Sequence, residues 1–385
     1  MHISIRRNLR YIILMTVFYY IRKVDLIIIN ATYNFEDSLL FTLLMFIGEF
    51  LAGLSIYISQ KCFLKSDIKN NKYFKILLTK FTPKMKRKDS IFIILLLIFF
   101  TASFDFVEFI IGSFYIPKLS VVSPTAEYRL GELIIILGAL LCHYNLKIKI
   151  LKHQFYSLLI MGVCLIILII LEIFYRGIGV SFIDFLIPHL LILCNLVFVA
   201  FTDVIEKYLM EYNYLNPFLI LMLESIFGLI FIIIYSSNKN VFNLSIFYTL
   251  NNIGNFILLL FLLFLYVIFS AGTNVYKMLT IALYSPMTKT LAVYIFNPVI
   301  FIYYFIMNND FISEGQRNYF YFLSNIIIAL IISFVGCVFN EFIILSCCNL
   351  EYETHFFVSE RAVTQDIFKS LEEIDDSDNE SLNGE

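Results

Sequence analysis

Ten apolar stretches, each long enough to cross a lipid bilayer, follow one another along this 385-residue chain. The hydrocarbon core of a bilayer is about 30 Å thick, so a crossing helix needs about 20 predominantly apolar residues. Backbone amides inside lipid have no water to bond to, which leaves helices and closed β-barrels as the spanning structures. The stretches are continuous, without alternation of apolar and polar residues, so they predict helices. They cover approximately residues 9–29, 38–59, 90–116, 119–142, 155–175, 180–202, 217–235, 253–275, 281–307 and 319–346.

The composition points to the same class of protein. Apolar residues make up 60% of the chain and charged residues 15%, with a mean hydropathy of +0.84. Soluble domains carry about 25% charged residues. The sequence therefore predicts an all-α, polytopic membrane protein with about ten transmembrane helices.

The basic residues indicate how the chain is oriented. Most of the 28 lysines and arginines lie on one set of alternate connecting segments, and ten of them fall in the single loop 61–89. Cytosolic loops carry such an excess, so we expect this loop and both termini to be cytosolic. The loop acts either as a topology signal alone or also by attracting anionic membrane lipids, at about 1 kcal/mol per basic residue near the surface. The plasma membrane and an endomembrane both fit.

Several ionisable residues fall inside the predicted spans. An ionised side chain at the bilayer centre costs roughly 2.5–3.5 kcal/mol on insertion scales, so such residues normally face the protein interior or a water-filled cavity. They are the candidates for function: Glu49, Asp105, Glu108, Arg129, Glu132, Glu224, Lys289 and Glu341.

Two of these candidates are cations, and each allows two interpretations. Arg129 is either neutralised by the acids of helices 3 and 4, which would lock those helices together, or it faces a substrate. Lys289 has no acid within a turn of its own helix. We expect only Glu341, Glu224 or a ligand to match it, so its partner is either a substrate anion or a structural ion pair.

Two pairs of similar segments lie five predicted helices apart. In the first pair, 123–129 and 285–289, each segment begins with Ser-Pro and ends in a cation. In the second pair, 45–50 and 222–228, each segment contains a Glu among Met, Phe and Gly. An odd number of helices per unit inserts the two halves with opposite orientation. In such inverted repeats, substrate sites form between the halves near the membrane midplane.

The chain therefore divides into three parts. The first five-helix repeat covers 1–177 and includes the basic loop 61–89, and the second covers 178–347. The last segment, 348–385, is acidic, and we expect it to be a disordered cytosolic tail.

At these residues the chain resembles the drug/metabolite transporter superfamily, on its nucleotide-sugar-transporter-like (EamA-like) side. Within that superfamily it is most similar to the F-type branch of the solute carrier 35 family. The likeness covers about residues 10–346 and is carried by 46–50 (Phe-Ile-Gly-Glu-Phe), 104–106 (Phe-Asp-Phe), 129–131 (Arg-Leu-Gly), 204–208 (Val-Ile-Glu-Lys-Tyr), Glu224 with 227–228 (Phe-Gly), and 285–289 (Ser-Pro-Met-Thr-Lys).

The resemblance implies a ten-helix carrier with two inverted halves, cytosolic termini and alternating access around a central cavity. In nucleotide-sugar carriers of this kind, basic residues of helix 9 meet the substrate phosphate, and that role would map onto Lys289. Nearer relatives have Arg at this position, whereas Lys supplies a point charge without a bidentate fork.

The sequence thus predicts a secondary transporter of a polar metabolite, with an anionic, nucleotide-sugar-like substrate as the sharper form. Lys289 and Arg129 would supply positive potential, while Glu49, Asp105 and Glu224 tune the cavity or carry a proton. Ser285 and Thr288 complete the predicted substrate site. The alternative is a non-transporting membrane scaffold or receptor that retains the carrier fold.

Other classes of function find no support in the residue patterns. The chain has no metalloprotease His-Glu-x-x-His, no Gly-x-Ser-x-Gly and no Walker-type loop, so we do not expect an enzyme. No cofactor, metal site or nucleic-acid partner is expected. The expected partners are a small-molecule substrate and membrane lipids, and a homodimer is compatible with the sequence.

Overall fold

The structure, a computed structural model, describes residues 2–33, 38–66, 89–111, 130–176, 181–237, 253–307 and 316–344. In those ranges the chain is helical and contains no strand. The helices are α1 (His2–Tyr33), α2 (Ser38–Ser66), α3 (Ile91–Ile110), α4 (Leu133–Leu146), α5 (Lys152–Arg176), α6 (Phe182–Glu211), α7 (Pro217–Ser237), α8 (Ile253–Leu283), α9 (Pro286–Tyr294), α10 (Asn297–Met307) and α11 (Gln316–Phe339).

Seven of the described helices are long and apolar enough to cross a membrane. The crossing segments are Leu39–Gln60, Ile91–Ile110, Lys152–Tyr175, Phe185–Tyr212, Pro217–Ser237, Phe256–Leu283 and Tyr319–Phe339. Two shorter apolar stretches, Leu133–Leu146 and Pro286–Ile302, accompany them. The chain is therefore an integral, polytopic membrane protein, and the all-α membrane class predicted from the sequence is confirmed.

Among the helices that are longer than the sequence indicated, α6 and α8 matter most for the site. The prediction ended them at residues 202 and 275, but α6 continues to Glu211 and α8 to Leu283. At 1.5 Å per residue each is about 45 Å long, which exceeds the hydrocarbon thickness. Their extra turns carry acidic and basic side chains into the packed bundle.

The predicted span 281–307 is two helices. Ser285 caps α9, because its hydroxyl accepts a hydrogen bond from the backbone N–H of Thr288, and Pro286 occupies the first turn, where its missing N–H costs nothing. The chain leaves the helix after Tyr294 and starts again at Asn297.

The last predicted span also ends earlier than expected. α11 stops at Phe339, and Glu341 adopts a left-handed backbone conformation with φ of 59° in the turn that follows. The placement of Glu341 inside a transmembrane helix is therefore wrong. Of the predicted span 119–142, the first part lies outside the described residues.

Contacts between side chains give the relative direction of the helices. α1 runs antiparallel to α8, because Tyr11 stacks near Tyr276, Phe18 covers Gly272, and Ile29 packs with Leu259. α3 runs antiparallel to α6 in the same way. Asp89, just before α3, accepts hydrogen bonds from Tyr208 and Asn213, whereas Phe104 stacks on Phe198.

α2 and α7 approach closely through glycines. A Cβ at Gly228 would lie 2.5 Å from the Phe46 ring, and one at Gly53 would lie 3.1 Å from the carbonyl oxygen of Phe218. The contact order makes these helices antiparallel. Small residues at such interfaces let backbones pack closely, which is a common basis of helix association in membranes.

α5 and α11 form a further antiparallel pair at the edge of the bundle. The Tyr321 hydroxyl donates to Glu172, and the Gln154 amide donates to the carbonyl of Phe339. The directions of all these pairs agree with helices that cross the membrane alternately in chain order.

Candidate functional site

A polar cavity of about 180 Å³ lies between helices of the two predicted halves. α1, α2, α3 and α4 contribute to its wall from the first half, and α6, α8 and α9 from the second. The charged residues that line it are Arg22, Lys23, Glu49, Asp105, Glu108, Asp203, Lys277 and Lys289. Three residues predicted to form the site, Glu49, Asp105 and Lys289, are therefore brought together here.

Lys289 forms an ion pair with Asp203. Its ammonium nitrogen donates to both carboxylate oxygens, 2.8 Å from Oδ2 and 3.1 Å from Oδ1. The Asp203 side chain is 1% exposed and that of Lys289 14%, and both line the cavity. The expectation that only Glu341, Glu224 or a ligand would match Lys289 is wrong, because α6 continues past residue 202 and places Asp203 opposite α9.

Lys277 on α8 is a second buried cation of this site. Its Nζ lies 2.7 Å from Oε1 of Glu206 and 3.8 Å from Oδ1 of Asp203. Asp203 thus stands between two ammonium groups, with the closer contact to Lys289. If either lysine changes partner, the other still balances the Asp203 carboxylate.

Three carboxylates meet where Asp105 lines the cavity wall and two glutamates lie behind it. Side-chain oxygens of Asp105 on α3, Glu206 on α6 and Glu224 on α7 all lie within 4.8 Å of one another. Glu206 is 0% exposed and Glu224 3%. Within the described part of the chain, Oε2 of Glu206 and Oε1 of Glu224 are buried without a hydrogen-bond partner.

Glu49 connects three helices. It accepts a hydrogen bond from the Asn274 side chain on α8, and its Oε2 lies 3.4 Å from the Ser225 hydroxyl on α7. The Ser225 hydroxyl has a closer acceptor in the carbonyl of Leu221, at 2.6 Å. Glu49 is therefore held mainly by Asn274.

α1 closes one side of the cavity and is bonded to the broken ninth span. The Thr16 hydroxyl lies 3.2 Å from the carbonyl of Ala292, and the Tyr20 hydroxyl donates to the carbonyl of Val293 at 2.8 Å. Arg22 on the same helix lies 3.4 Å from the Ser270 hydroxyl. The first helix is thus part of the cavity wall despite its charged residues.

The other predicted site residues lie elsewhere or have structural partners. Ser285 caps α9, and the Thr288 hydroxyl donates to Asn340 at 2.7 Å, so neither lines the central cavity. Glu132 accepts a hydrogen bond from Asn297 at 2.8 Å, which joins α4 to α10. Arg129 lies outside the described residues.

A second cavity, of about 320 Å³, lies beside the start of α9. Residues up to Thr288 line this second cavity, whereas Lys289 and later residues of α9 line the central one. Lys207 lies in its wall and donates to the carbonyls of Ile281 and Tyr284, at 2.9 and 3.1 Å, at the end of α8. The two cavities are therefore lined by successive turns of the same helices, α4, α6 and α9.

Sequence reasoning missed Asp203, Glu206 and Lys277. All three follow the point at which the prediction ended a span, because charged residues were read as the membrane boundary. A signal was present: Leu196, Ala200 and Val204 are apolar, buried and four residues apart, so the apolar face of α6 runs past Asp203. Extending the predicted span for as long as one face stayed apolar would have placed these charged residues within the helix bundle.

The charged side chains of the site can bind ions and polar groups and can change their ion-pair partners. Both signs of charge line the cavity, and the described side chains include no nucleophile held by a base at the cavity wall. Neither the protein-family models nor the curated protein sequences contain a match to this chain. The site must therefore be interpreted from its own geometry.

Proposed function

We propose that this protein is a secondary transporter that moves a polar metabolite across its membrane by alternating access. The observation that carries the proposal is the central cavity, where Lys289 faces the open space while Asp203, its partner, is shared with Lys277. A scaffold has no need for charges in a cavity, because buried ion pairs seldom add stability over apolar packing.

A substrate with an acidic group can bind at Lys289 by partner exchange. The substrate carboxylate or phosphate replaces Asp203 at the ammonium, and Asp203 turns to Lys277, which is already 3.8 Å away. Asp203 then keeps a counter-ion in Lys277, which it shares with Glu206, so the exchange does not leave Asp203 as an unpaired buried charge. An anionic substrate, nucleotide-sugar-like in the sharper form of the proposal, fits this step.

The size of the cavity adds a condition. Ligand pockets typically measure about 300–1,000 Å³, whereas the central cavity measures about 180 Å³. A nucleotide-sugar-sized substrate therefore requires the helices to move apart, and a smaller metabolite fits as the cavity stands. The second cavity, one turn further along α6 and beside the start of α9, is the space into which substrate would pass when Lys289 and its neighbours shift.

An inverted repeat is part of the proposal, and the helix packing supports it. If α9 and α10 count as one span, the first five spans can be matched to the last five. α1 then corresponds to α6 and α3 to α8, so the pair α1–α8 corresponds to the pair α6–α3. Both pairs pack antiparallel. Likewise Glu49 and Glu224 each lie four residues before a packing glycine, Gly53 and Gly228. Two inverted five-helix halves at 1–177 and 178–347 explain this pattern.

Membership of the drug/metabolite transporter superfamily and cytosolic termini belong to the same proposal. Lys289 near the start of the broken ninth span, Glu49 and the paired glycines are the residues that support it. Membership would place Lys289 at the substrate and make the basic loop 61–89 cytosolic.

The test joins ligand screening to transport. Thermal unfolding of the purified protein is followed with nucleotides, nucleotide sugars, amino acids and drug-like cations, since a ligand of the folded state raises its apparent stability. Uptake of each stabilising compound is then measured in proteoliposomes. We expect Lys289→Ala to lower uptake at least tenfold and still to fold, because Asp203 keeps Lys277 as a counter-ion.

The matched control is Lys152→Ala, which removes an exposed lysine at the start of α5. It should transport like the unchanged protein. Uptake that survives Lys289→Ala would remove this residue from the site. Proteoliposomes that take up none of the stabilising compounds would favour the membrane scaffold or receptor.

A further inference from the structure

The acidic groups of the buried site outnumber the cations around them. The described residues that line the cavity or meet behind it include six carboxylates, on Glu49, Asp105, Glu108, Asp203, Glu206 and Glu224. The cations that line the same cavity are four, Arg22, Lys23, Lys277 and Lys289. Uncompensated charge is costly in a low-dielectric interior, so the remaining carboxylates need positive partners of another kind.

Three carboxylates in particular lack enough positive partners. Oxygens of Asp105, Glu206 and Glu224 lie within 4.8 Å of one another, and Lys277 reaches only one of them closely, Glu206 Oε1 at 2.7 Å. Like charges at this spacing cannot all remain ionised without a bound cation or protons. Glu206 Oε2 and Glu224 Oε1 are the oxygens left without a donor among the described side chains.

We infer that Asp105, Glu206 and Glu224, beside Lys277, form a proton-binding site, and that the proton is the ion this carrier couples to its substrate. Binding adds one proton to a carboxylate oxygen, and release returns it to water in the central cavity, with no other bond made or broken. Asp105 lines the cavity while the two glutamates lie behind it, so Asp105 is the entry point.

A metal ion suits this site less well than a proton. Calcium takes six to eight oxygen ligands, and magnesium demands octahedral geometry with water. Here three carboxylates meet, and two of them, on Glu206 and Glu224, are buried, so water has little access to complete such a shell. The ammonium group of Lys277 already occupies the cation position beside Glu206 and would repel a second cation.

The site titrates in the field of its neighbours. The charged residues of the other helices that face the same cavity or pack beside the site are Arg22, Lys23, Glu49, Glu108, Asp203 and Lys289. Each substrate anion that pairs with Lys289 frees Asp203 to approach Lys277, which weakens the pair between Lys277 and Glu206. Substrate binding thereby raises the proton affinity of Glu206, and this linkage supplies the coupling.

The coupling half of the inference rests on the proposed function, whereas the proton site does not. It is tested on the full-length protein in lipid nanodiscs by infrared difference spectroscopy between acidic and alkaline buffers, in which protonated carboxyl groups have their own C=O stretching band. We expect Glu224→Gln to remove a resolvable part of that band. Asp105→Asn, at the cavity wall, is the second variant and should shift the midpoint of the remaining titration.

The matched control is Glu211→Gln, a carboxylate 38% exposed at the end of α6, which should leave the band unchanged. The inference is overturned if Glu224→Gln and Asp105→Asn both leave the band and its midpoint as they are. It is equally overturned if sodium, potassium or calcium chloride stabilises the protein at constant pH relative to choline chloride and the two variants lose that effect. No transported compound is needed, so a failed uptake assay and a failed proton site are separate results.

Discussion

The ion pair between Lys289 and Asp203 makes the sharpest stability prediction. The change is Asp203→Asn, which keeps the shape of the side chain and removes its charge. Lys289 then loses the negative charge that balances it, and of its contacts at 3.1 and 2.8 Å only one, to the amide oxygen, can remain. The opposite change, Lys289→Ala, leaves Asp203 with Lys277, so the two halves of this pair differ in how much the protein depends on them.

The magnitude follows from the burial of the pair. Removing one partner of a buried ion pair costs about 3–5 kcal/mol, because the other charge stays behind uncompensated. The Lys289 ammonium retains some access to the cavity, so we expect about 3 kcal/mol. With an unfolding entropy of about 2.1 cal/mol/K per residue, the melting midpoint should fall by roughly 4 °C.

The assay is thermal unfolding in detergent, followed by circular dichroism because the chain contains no tryptophan. The double variant Asp203→Asn/Lys289→Met should recover most of the loss, since an apolar replacement of a buried pair is often neutral. Asp203→Asn, Lys289→Met and the double variant form a cycle whose coupling energy we expect to exceed about 1.5 kcal/mol. Glu211→Gln, which acts on the partly exposed pair with Lys207, should change the midpoint little.

One result would refute this reasoning. If Asp203→Asn melts with the unchanged protein and the two substitutions combine additively, Lys289 does not depend on Asp203. The partner-exchange step of the proposed transport mechanism would then lose its structural basis.

Three further substitutions probe the packing and the hydrogen bonds of the bundle. Gly228→Ala should destabilise the protein by about 1–3 kcal/mol, because the new methyl group would overlap the aromatic ring packed against it. Gly162→Ala, where nothing lies within 4 Å, should instead stabilise it by up to about 1 kcal/mol through helix propensity; equal effects in thermal unfolding would contradict the close approach. Lys207→Met should cost roughly 2–3 kcal/mol and speed backbone amide exchange at the end of α8, because the carbonyls that it binds lose their donor. Unchanged exchange there would show that water replaces the ammonium.

The helices and their order were predictable from hydropathy, while their ends were not. A span of about 20 apolar residues is a local property, so the described helices follow the predicted spans in chain order. The ends depend on what each turn meets in the folded bundle. Asp203 and Lys277 look like boundary residues in the sequence, and only their pairing shows that α6 and α8 continue through them.

The candidate site was predictable in part for the same reason. Glu49, Asp105 and Lys289 stood out because a lone charge in an apolar stretch is costly wherever the chain folds. Ser285 and Thr288 were singled out by their place in the repeat, yet they cap α9 and bind Asn340. Side-chain partners more than 50 residues apart follow from packing and leave no local signature.

The amino-acid sequence by itself determined that this protein lives in a membrane as a bundle of helices, because apolar length and scarce charge leave no other solution for the backbone. Tertiary structure decided which charges meet, since the energy of a buried ion depends on what lies within a few ångströms of it. Lys289 pairs with Asp203, and three carboxylates meet beside Lys277. Both arrangements depend on distant turns of α3, α6, α7, α8 and α9 that lie side by side only in the folded bundle.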